Sequence, residues 1–299
     1  MSLMLPSPAC FLESRDRLWQ IGKVIPAVVF LLGMIIGSFL NVCIRRIPAK
    51  VSIVHPASRC PSCGAPIKPY DNIPVVSYLL LRGKCRACGA RISPLYPAVE
   101  LLTGVLFLAC YAAFGQTVEA AKWASFCALM IVLVFTDLRE RLLPDAVNFT
   151  GFAIGLGFSF FTRPVDGTAL WLANRIFDYP PPAPALSFVD ALLGAAVGSG
   201  VLWIVAEGYF RLRKREGMGL GDVKMMLMAG AFLGLKRTVL TILIGSLLGS
   251  VLGLLIILLW RKGSQYELPF GSFLGVAALL VMFFGTPVVT WYQSLLALH

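Results

Sequence analysis

Histidine is almost missing from this chain of 299 residues, which has only His55 and His299. Neither H-E-x-x-H nor G-x-S-x-G occurs, so a zinc-protease centre and a hydrolase-type serine triad both lose their usual signatures. Charge is scarce too. Asp, Glu, Lys and Arg make up 14% of the chain, against about 25% in a soluble globular domain, and that shortage excludes the soluble class. Residues 1–23 mix Glu13, Arg15, Asp16 and Arg17 instead of presenting a basic start and an apolar middle, so no cleavable signal peptide is expected and the segment reads as amphipathic or irregular. No internal repeat stands out. The one biased tract, Pro180-Pro181-Pro182-Ala183-Pro184 in the loop 163–186, reads as a stiff connector.

Apolar residues fill the space that charge leaves. The chain is 58% hydrophobic, with a mean hydropathy of +0.81, and stretches near membrane length can be drawn at 24–44, 95–115, 119–136, 146–162, 187–209, 223–235, 238–260 and 269–291. The expected fold is therefore all-α, a polytopic helical membrane protein with about eight spans. With eight spans, 18 of the 26 Lys and Arg fall in loops on one side, which the positive-inside rule assigns to the cytoplasm. Both termini then lie outside. The net charge of +11 follows these juxtamembrane segments, where anionic lipids attract it. The bilayer, not nucleic acid, is the partner it implies.

Four of the eight cysteines form two knuckles, Cys60-Pro61-Ser62-Cys63-Gly64 and Cys85-Arg86-Ala87-Cys88-Gly89. Two residues between thiolates aim both sulfurs at one ion, and two such pairs complete a tetrahedral structural zinc site. Two disulfides are the alternative. A cytoplasmic location argues against them. Six prolines between Pro48 and Pro74 leave this segment little core of its own, so the metal is expected to fold it. The expected organisation is an N-terminal segment 1–23, a first span 24–44, a cytoplasmic zinc-ribbon-like module 45–97 and a bundle 98–299.

Acidic residues at membrane edges are costly and generally have a task. Asp137 ends the third apolar stretch, and Asp222 lies in Gly219-Leu220-Gly221-Asp222-Val223-Lys224. Two close carboxylates share a proton near neutrality, so one can act as general base on water while the other acts as general acid. Gly219 and Gly221 would let backbone approach closely. Equally, Asp222 could simply cap a helix after a flexible loop. Asp145, in Leu143-Pro144-Asp145, is the rival partner, but it reads as the N-cap of the next helix. Lys224 would either compensate charge near Asp222 or snorkel.

These residues, taken in order, resemble the bacterial type IV prepilin peptidases and their type II secretion relatives. The resemblance runs through Gly37-Ser38-Phe39-Leu40-Asn41-Val42, the cysteine knuckles, Asp71-Asn72-Ile73-Pro74, Arg82-Gly83-Lys84-Cys85, Tyr96-Pro97-Ala98-Val99-Glu100, Asp137 to Leu143-Pro144-Asp145, and the G-x-G-D segment. It implies an inner-membrane enzyme that cuts a short basic leader from a prepilin or pseudopilin after a glycine, then N-methylates the new terminus with S-adenosylmethionine. Asp137 and Asp222 would be catalytic, with Asp145, Gly219, Gly221 and Lys224 in support. The family associates the cysteine module and R-G-K-C with methylation, which suggests Gly83, Lys84, Asn41 and Glu100 as cofactor residues. One departure is local, since Pro269-Phe270-Gly271-Ser272-Phe273-Leu274 has serine where family members often have proline, and only a bend is expected to change. A proton-coupled transporter and a non-catalytic zinc-stabilised scaffold are the other classes that this pattern allows.

Overall fold

A computed structural model describes residues 8–165, 167–176, 178, 179, 181–215, 217–260 and 269–296. Nine α-helices follow one another among these residues: α1 Pro8–Arg46, α2 Val76–Leu80, α3 Leu95–Phe114, α4 Val118–Glu140, α5 Asp145–Ser159, α6 Thr168–Ile176, α7 Ala183–Arg213, α8 Leu220–Trp260 and α9 Phe270–Leu296. There is no strand among them, only isolated bridges pairing Arg59 with Pro66 and Lys84 with Arg91. The backbone from Pro8 to 23, expected to be amphipathic or irregular, continues α1. Residues 1–7, Pro180 and the basic loop 261–268 lie outside the described residues.

Among the described residues, six helices are both long and apolar enough to cross a membrane: Val24–Arg46, Leu95–Phe114, Val118–Glu140, Ala183–Arg213, Leu220–Leu255 and Phe270–Tyr292. The expected eight are thus not recovered as eight separate membrane-length helices, and two physical features account for the difference. The stretch at 146–162 forms α5, whose 15 residues rise only about 22 Å at 1.5 Å each, short of a hydrocarbon core of about 30 Å. The stretches 223–235 and 238–260 run together as α8, broken only at Gly234, where φ is 72° and ψ is 178°. That left-handed φ is open to glycine at little cost, so the chain bends there without a loop.

The chain divides into two compact units, residues 1–39 with 59–115, and residues 40–58 with 116–299. Packing therefore groups the cysteine segment, from Arg59 onward, with α3. In the first unit, Gly33 and Gly37 of α1 form a small-xxx-small stripe against α3. A Cβ at Gly33 would stand 2.8 Å from Gly104 Cα, and one at Gly37 would stand 2.7 Å from Glu100 Cα. Lipid tails are as apolar as leucine, so close backbone packing is what holds such helices together. The second unit repeats the device, with Gly194 of α7 against Gly230 of α8. Around it Phe126, Met130, Leu133, Met225, Met226, Met228, Phe232 and Leu233 are fully buried, and the Phe126 and Phe232 rings lie 5.0 Å apart.

Candidate active site and metal centre

Asp137 occupies the last turn of α4. The turn ends at Arg141, left-handed at φ 52°, whose N–H donates to the Asp137 carbonyl at 2.8 Å. This places the Asp137 side chain on the buried face, 5% exposed. Asp222 lies in the first turn of α8, which begins at Leu220, and it is 7% exposed. The Asp222 N–H donates to the Gly219 carbonyl at 3.1 Å, while its carboxylate is hydrogen-bonded by the Gly219 backbone. That reciprocity is the acidic half of a capping box. Asp222 thus occupies the third helical position instead of the cap, and Gly219-Leu220-Gly221 is the entry turn that aims it.

The two carboxylates converge on Gly271. A Cβ at Gly271, in the first turn of α9, would stand 2.9 Å from Asp222 Oδ1 and 3.2 Å from Asp137 Oδ2. The two oxygens are therefore separated by no more than the sum of those distances. One wall is Leu143, whose Cδ1 is 2.7 Å from that same Cβ position and whose Cβ is 3.0 Å from a Cβ built at Gly221. Ser272 fixes Asp137 directly. Its N–H donates to Asp137 Oδ2 at 2.6 Å and its hydroxyl donates to the same oxygen at 2.7 Å. Sequence reasoning assigned this segment only a bend. The available signal was a glycine and a polar side chain side by side at the start of an apolar helix.

Asp145 and Lys224 form a different structure from the one expected. Pro144 occupies the cap position of α5 without a side-chain hydrogen bond, and Asp145 is the first helical residue. The Asp145 carboxylate instead accepts from Lys224 Nζ at 2.8 Å. Lys224 is thereby engaged with the start of α5, in place of compensating Asp222. Proline at the cap offers no side-chain acceptor, which leaves the carboxylate free for the ion pair.

In the first unit the two cysteine knuckles have matching geometry. Gly64 N–H donates to the Cys60 carbonyl at 2.8 Å and Cys60 N–H to the Ala65 carbonyl at 2.9 Å, while Gly89 and Ala90 repeat this around Cys85 at 2.9 and 2.8 Å. Each turn needs a left-handed residue, met by Gly64 at φ 72° and Gly89 at φ 70°. The four sulfurs all lie within 4.8 Å of one another, and Cys60 Sγ is 3.9 Å from Cys88 Sγ. A tetrahedral zinc site with bonds of about 2.3 Å needs sulfurs about 3.8 Å apart, so the donor set fits that ion. All four cysteines are free thiols. The Cys63 and Ser62 backbone N–H groups draw the Cys60 thiol down to about 6. Cys88, despite the Ala90 N–H, is pushed up to about 11 by the crowding of Cys63, Cys85 and Cys60 around it. Arg86 reaches back from the second knuckle to Asp71 at 2.7 Å and holds that carboxyl below its ordinary range.

Gly83 and Lys84 line a cavity of about 540 Å³ with Tyr78, Arg82, Arg91, Ile92, Ser93 and Pro94. Glu100 is not among the lining residues. It is buried on α3, where one carboxylate oxygen accepts the Val75 N–H at 2.8 Å. Asn41, on α1, is 9% exposed and belongs to the other compact unit.

Residues 31–114 match the Bacterial Peptidase A24 N-terminal domain, and residues 124–254 match the Type IV leader peptidase family. A Myxococcus xanthus protein named prepilin leader peptidase/N-methyltransferase is 38% identical over 82% of this chain and 68% of its own length. Proteins of the same name from Aeromonas hydrophila and Pseudomonas aeruginosa are each 33% identical, the first over 90% of this chain and 93% of its own length, the second over 88% and 91%. No solved structure matches the chain. Two family matches in series, and relatives similar over most of both chains, lead to one conclusion: this polytopic membrane protein belongs to the type IV leader peptidase family.

Proposed function

We propose that the protein removes the leader peptide from prepilins through Asp137 and Asp222 and then N-methylates the new terminus. The observation that carries the peptidase reading is the convergence of an oxygen of each aspartate on Gly271. A scissile carbonyl and a water reaching this pair would meet both carboxylates. Asp137, holding two donated hydrogen bonds from Ser272, acts as the charged member that takes a proton from water, because donors favour the anion. Asp222 delivers a proton to the carbonyl oxygen and later to the departing amine. Peptide hydrolysis then needs neither a side-chain nucleophile nor a catalytic metal.

Both aspartates sit at helix ends, Asp137 closing α4 and Asp222 opening α8. With α5 and both arms of α8 about Gly234 counted as crossings, the loop charges assign that edge to the cytoplasm, so a substrate helix lying in the bilayer would bring its leader junction to the pair. Zinc, held by Cys60, Cys63, Cys85 and Cys88, would be structural, since four thiolates leave no open position. The donor for methylation is S-adenosylmethionine, which supplies an activated methyl group. The cavity beside Gly83 and Lys84 does not fit it, because that molecule carries two positive groups against one carboxylate, and the lining contains three cations and no acid.

The test is to incubate the purified protein with a prepilin and S-adenosylmethionine, following leader loss and methyl gain separately by mass spectrometry. Asp137→Asn and Asp222→Asn should each slow leader loss by at least about 100-fold, the scale of general acid–base catalysis. Full cleavage by either variant overturns the dyad. A transporter or a scaffold would leave processing unchanged in both.

A further inference from the structure

The cavity in the first unit carries a charge that the peptidase reading does not use. Arg82, Lys84 and Arg91 all line it, and no acidic residue does. None of the three is ion-paired among the described residues. By contrast Arg86, on the adjoining knuckle, is neutralised by Asp71. Three unneutralised cations around one concavity favour an anion with several acceptor oxygens.

The position of the cavity in the chain narrows the choice of anion. Pro94 lines it and also caps α3, so the next residue, Leu95, begins a membrane-length helix. The rim therefore belongs to the interfacial layer, which extends about 5–8 Å beyond the hydrocarbon on each face. The other approach to the cavity is α2, whose last two residues, Leu79 and Leu80, are 67% and 77% exposed. They stand in sequence immediately before Leu81 and Arg82. Exposed leucines next to unpaired cations, joined to the start of a span, are how a segment seats itself at the boundary between head groups and acyl chains.

We propose that this cavity binds the phosphate of an anionic phospholipid head group, with Leu79 and Leu80 entering the acyl boundary. Arg82 and Arg91 supply forked donors to the phosphate oxygens, and Lys84 supplies a point charge. The bound lipid seats the cysteine module against the bilayer. The site stands on its own chemistry, whether or not Asp137 and Asp222 are catalytic.

Native mass spectrometry of the full-length zinc-loaded protein, in detergent with added phosphatidylglycerol or phosphatidylcholine, tests this. The wild type should retain phosphatidylglycerol in preference to phosphatidylcholine. Arg82→Gln, Lys84→Gln and Arg91→Gln should each weaken that retention roughly fivefold, and the triple variant on the order of 100-fold. Zinc content, unchanged in all of them, reports that the module is folded. Leu79→Ser with Leu80→Ser should weaken retention of the lipid without altering displacement by inorganic phosphate. Equal retention by the triple variant overturns the site. So does an equal loss from Lys68→Gln, which removes a charge of the same module outside the cavity, because that would show net charge alone at work. Protection by inorganic phosphate or S-adenosylmethionine with no preference for phosphatidylglycerol overturns the lipid assignment.

Discussion

Ser272 directs both of its donors at a single oxygen of Asp137, the backbone N–H at 2.6 Å and the hydroxyl at 2.7 Å. A carboxylate oxygen so held cannot turn away, and its orientation is set by α9, not by the helix that carries it. Removing the hydroxyl in Ser272→Ala leaves the N–H in place. Hydrogen bonds to charged groups contribute about 1.5–3 kcal/mol, so leader cleavage should slow about tenfold or more, read as kcat with little change in KM. An unchanged kcat would show that the N–H alone positions Asp137.

Gly271 should tolerate no side chain. The Cβ of Gly271→Ala would enter the volume between Asp222 Oδ1 and Asp137 Oδ2, and would also meet Leu143 Cδ1. We expect leader loss to fall by at least about 100-fold, while the protein keeps its helical circular dichroism and its zinc. Normal cleavage by this variant would mean that the reacting groups do not meet there.

Asp145 gives the contrasting result. Its ion pair with Lys224 is exposed, at 57% and 33% for the two side chains, and pairs of this kind contribute about 0–1 kcal/mol. Asp145→Asn should therefore keep cleavage within about tenfold of wild type, whereas Asp137→Asn loses it. The comparison, made in one mass-spectrometric assay, separates the two candidate partners of Asp222.

Zinc binding should release protons and tighten as pH rises. Without the ion, Cys60 is drawn down to about 6 and Cys88 is pushed up to about 11. At neutral pH the first is largely thiolate and the second a thiol that the metal must deprotonate. Competition with a chromogenic chelator across pH 6–8 measures this. Cys60→Ser or Cys85→Ser should abolish stoichiometric zinc, and an unchanged metal content would remove these residues as ligands.

The Asp71–Arg86 pair should stabilise the cysteine module in a pH-dependent way. Arg86 holds the Asp71 carboxyl below its ordinary range, so the folded form binds that proton more weakly than the unfolded form. The contribution is complete above about pH 4 and disappears as pH falls through the lowered folded value. Arg86→Gln should unfold at a lower temperature than wild type at pH 7, and the gap should narrow below pH 4. A gap that persists in strong acid would assign the effect to the Arg86 contact with Tyr70 instead of the charge.

The two aspartates and the four cysteines were legible in the sequence because each rests on a local rule. An acid at the end of an apolar run is expensive wherever it lies, and a C-x2-C turn aims two sulfurs by itself. The role of Gly271 and Ser272 was not legible, because it depends on α9 meeting α4 and α8 more than 40 residues later in the chain. Asp145 was misread as a cap for a related reason. Its pattern is that of a capping residue, yet the cation that claims it is Lys224, which only the packing of α5 on α8 brings near.

By itself, the sequence determined the membrane class, the cysteine knuckles and the identity of the acids, since hydropathy and short spacings act within a few residues. Span number was beyond it. The short α5 and the bend at Gly234 depend on where helices stop, which neighbours decide. Tertiary structure alone decided that Asp137 and Asp222 converge on Gly271 and that Ser272 holds the first in place. Those contacts join the ends of three helices, and only close packing of their small residues allows them to meet.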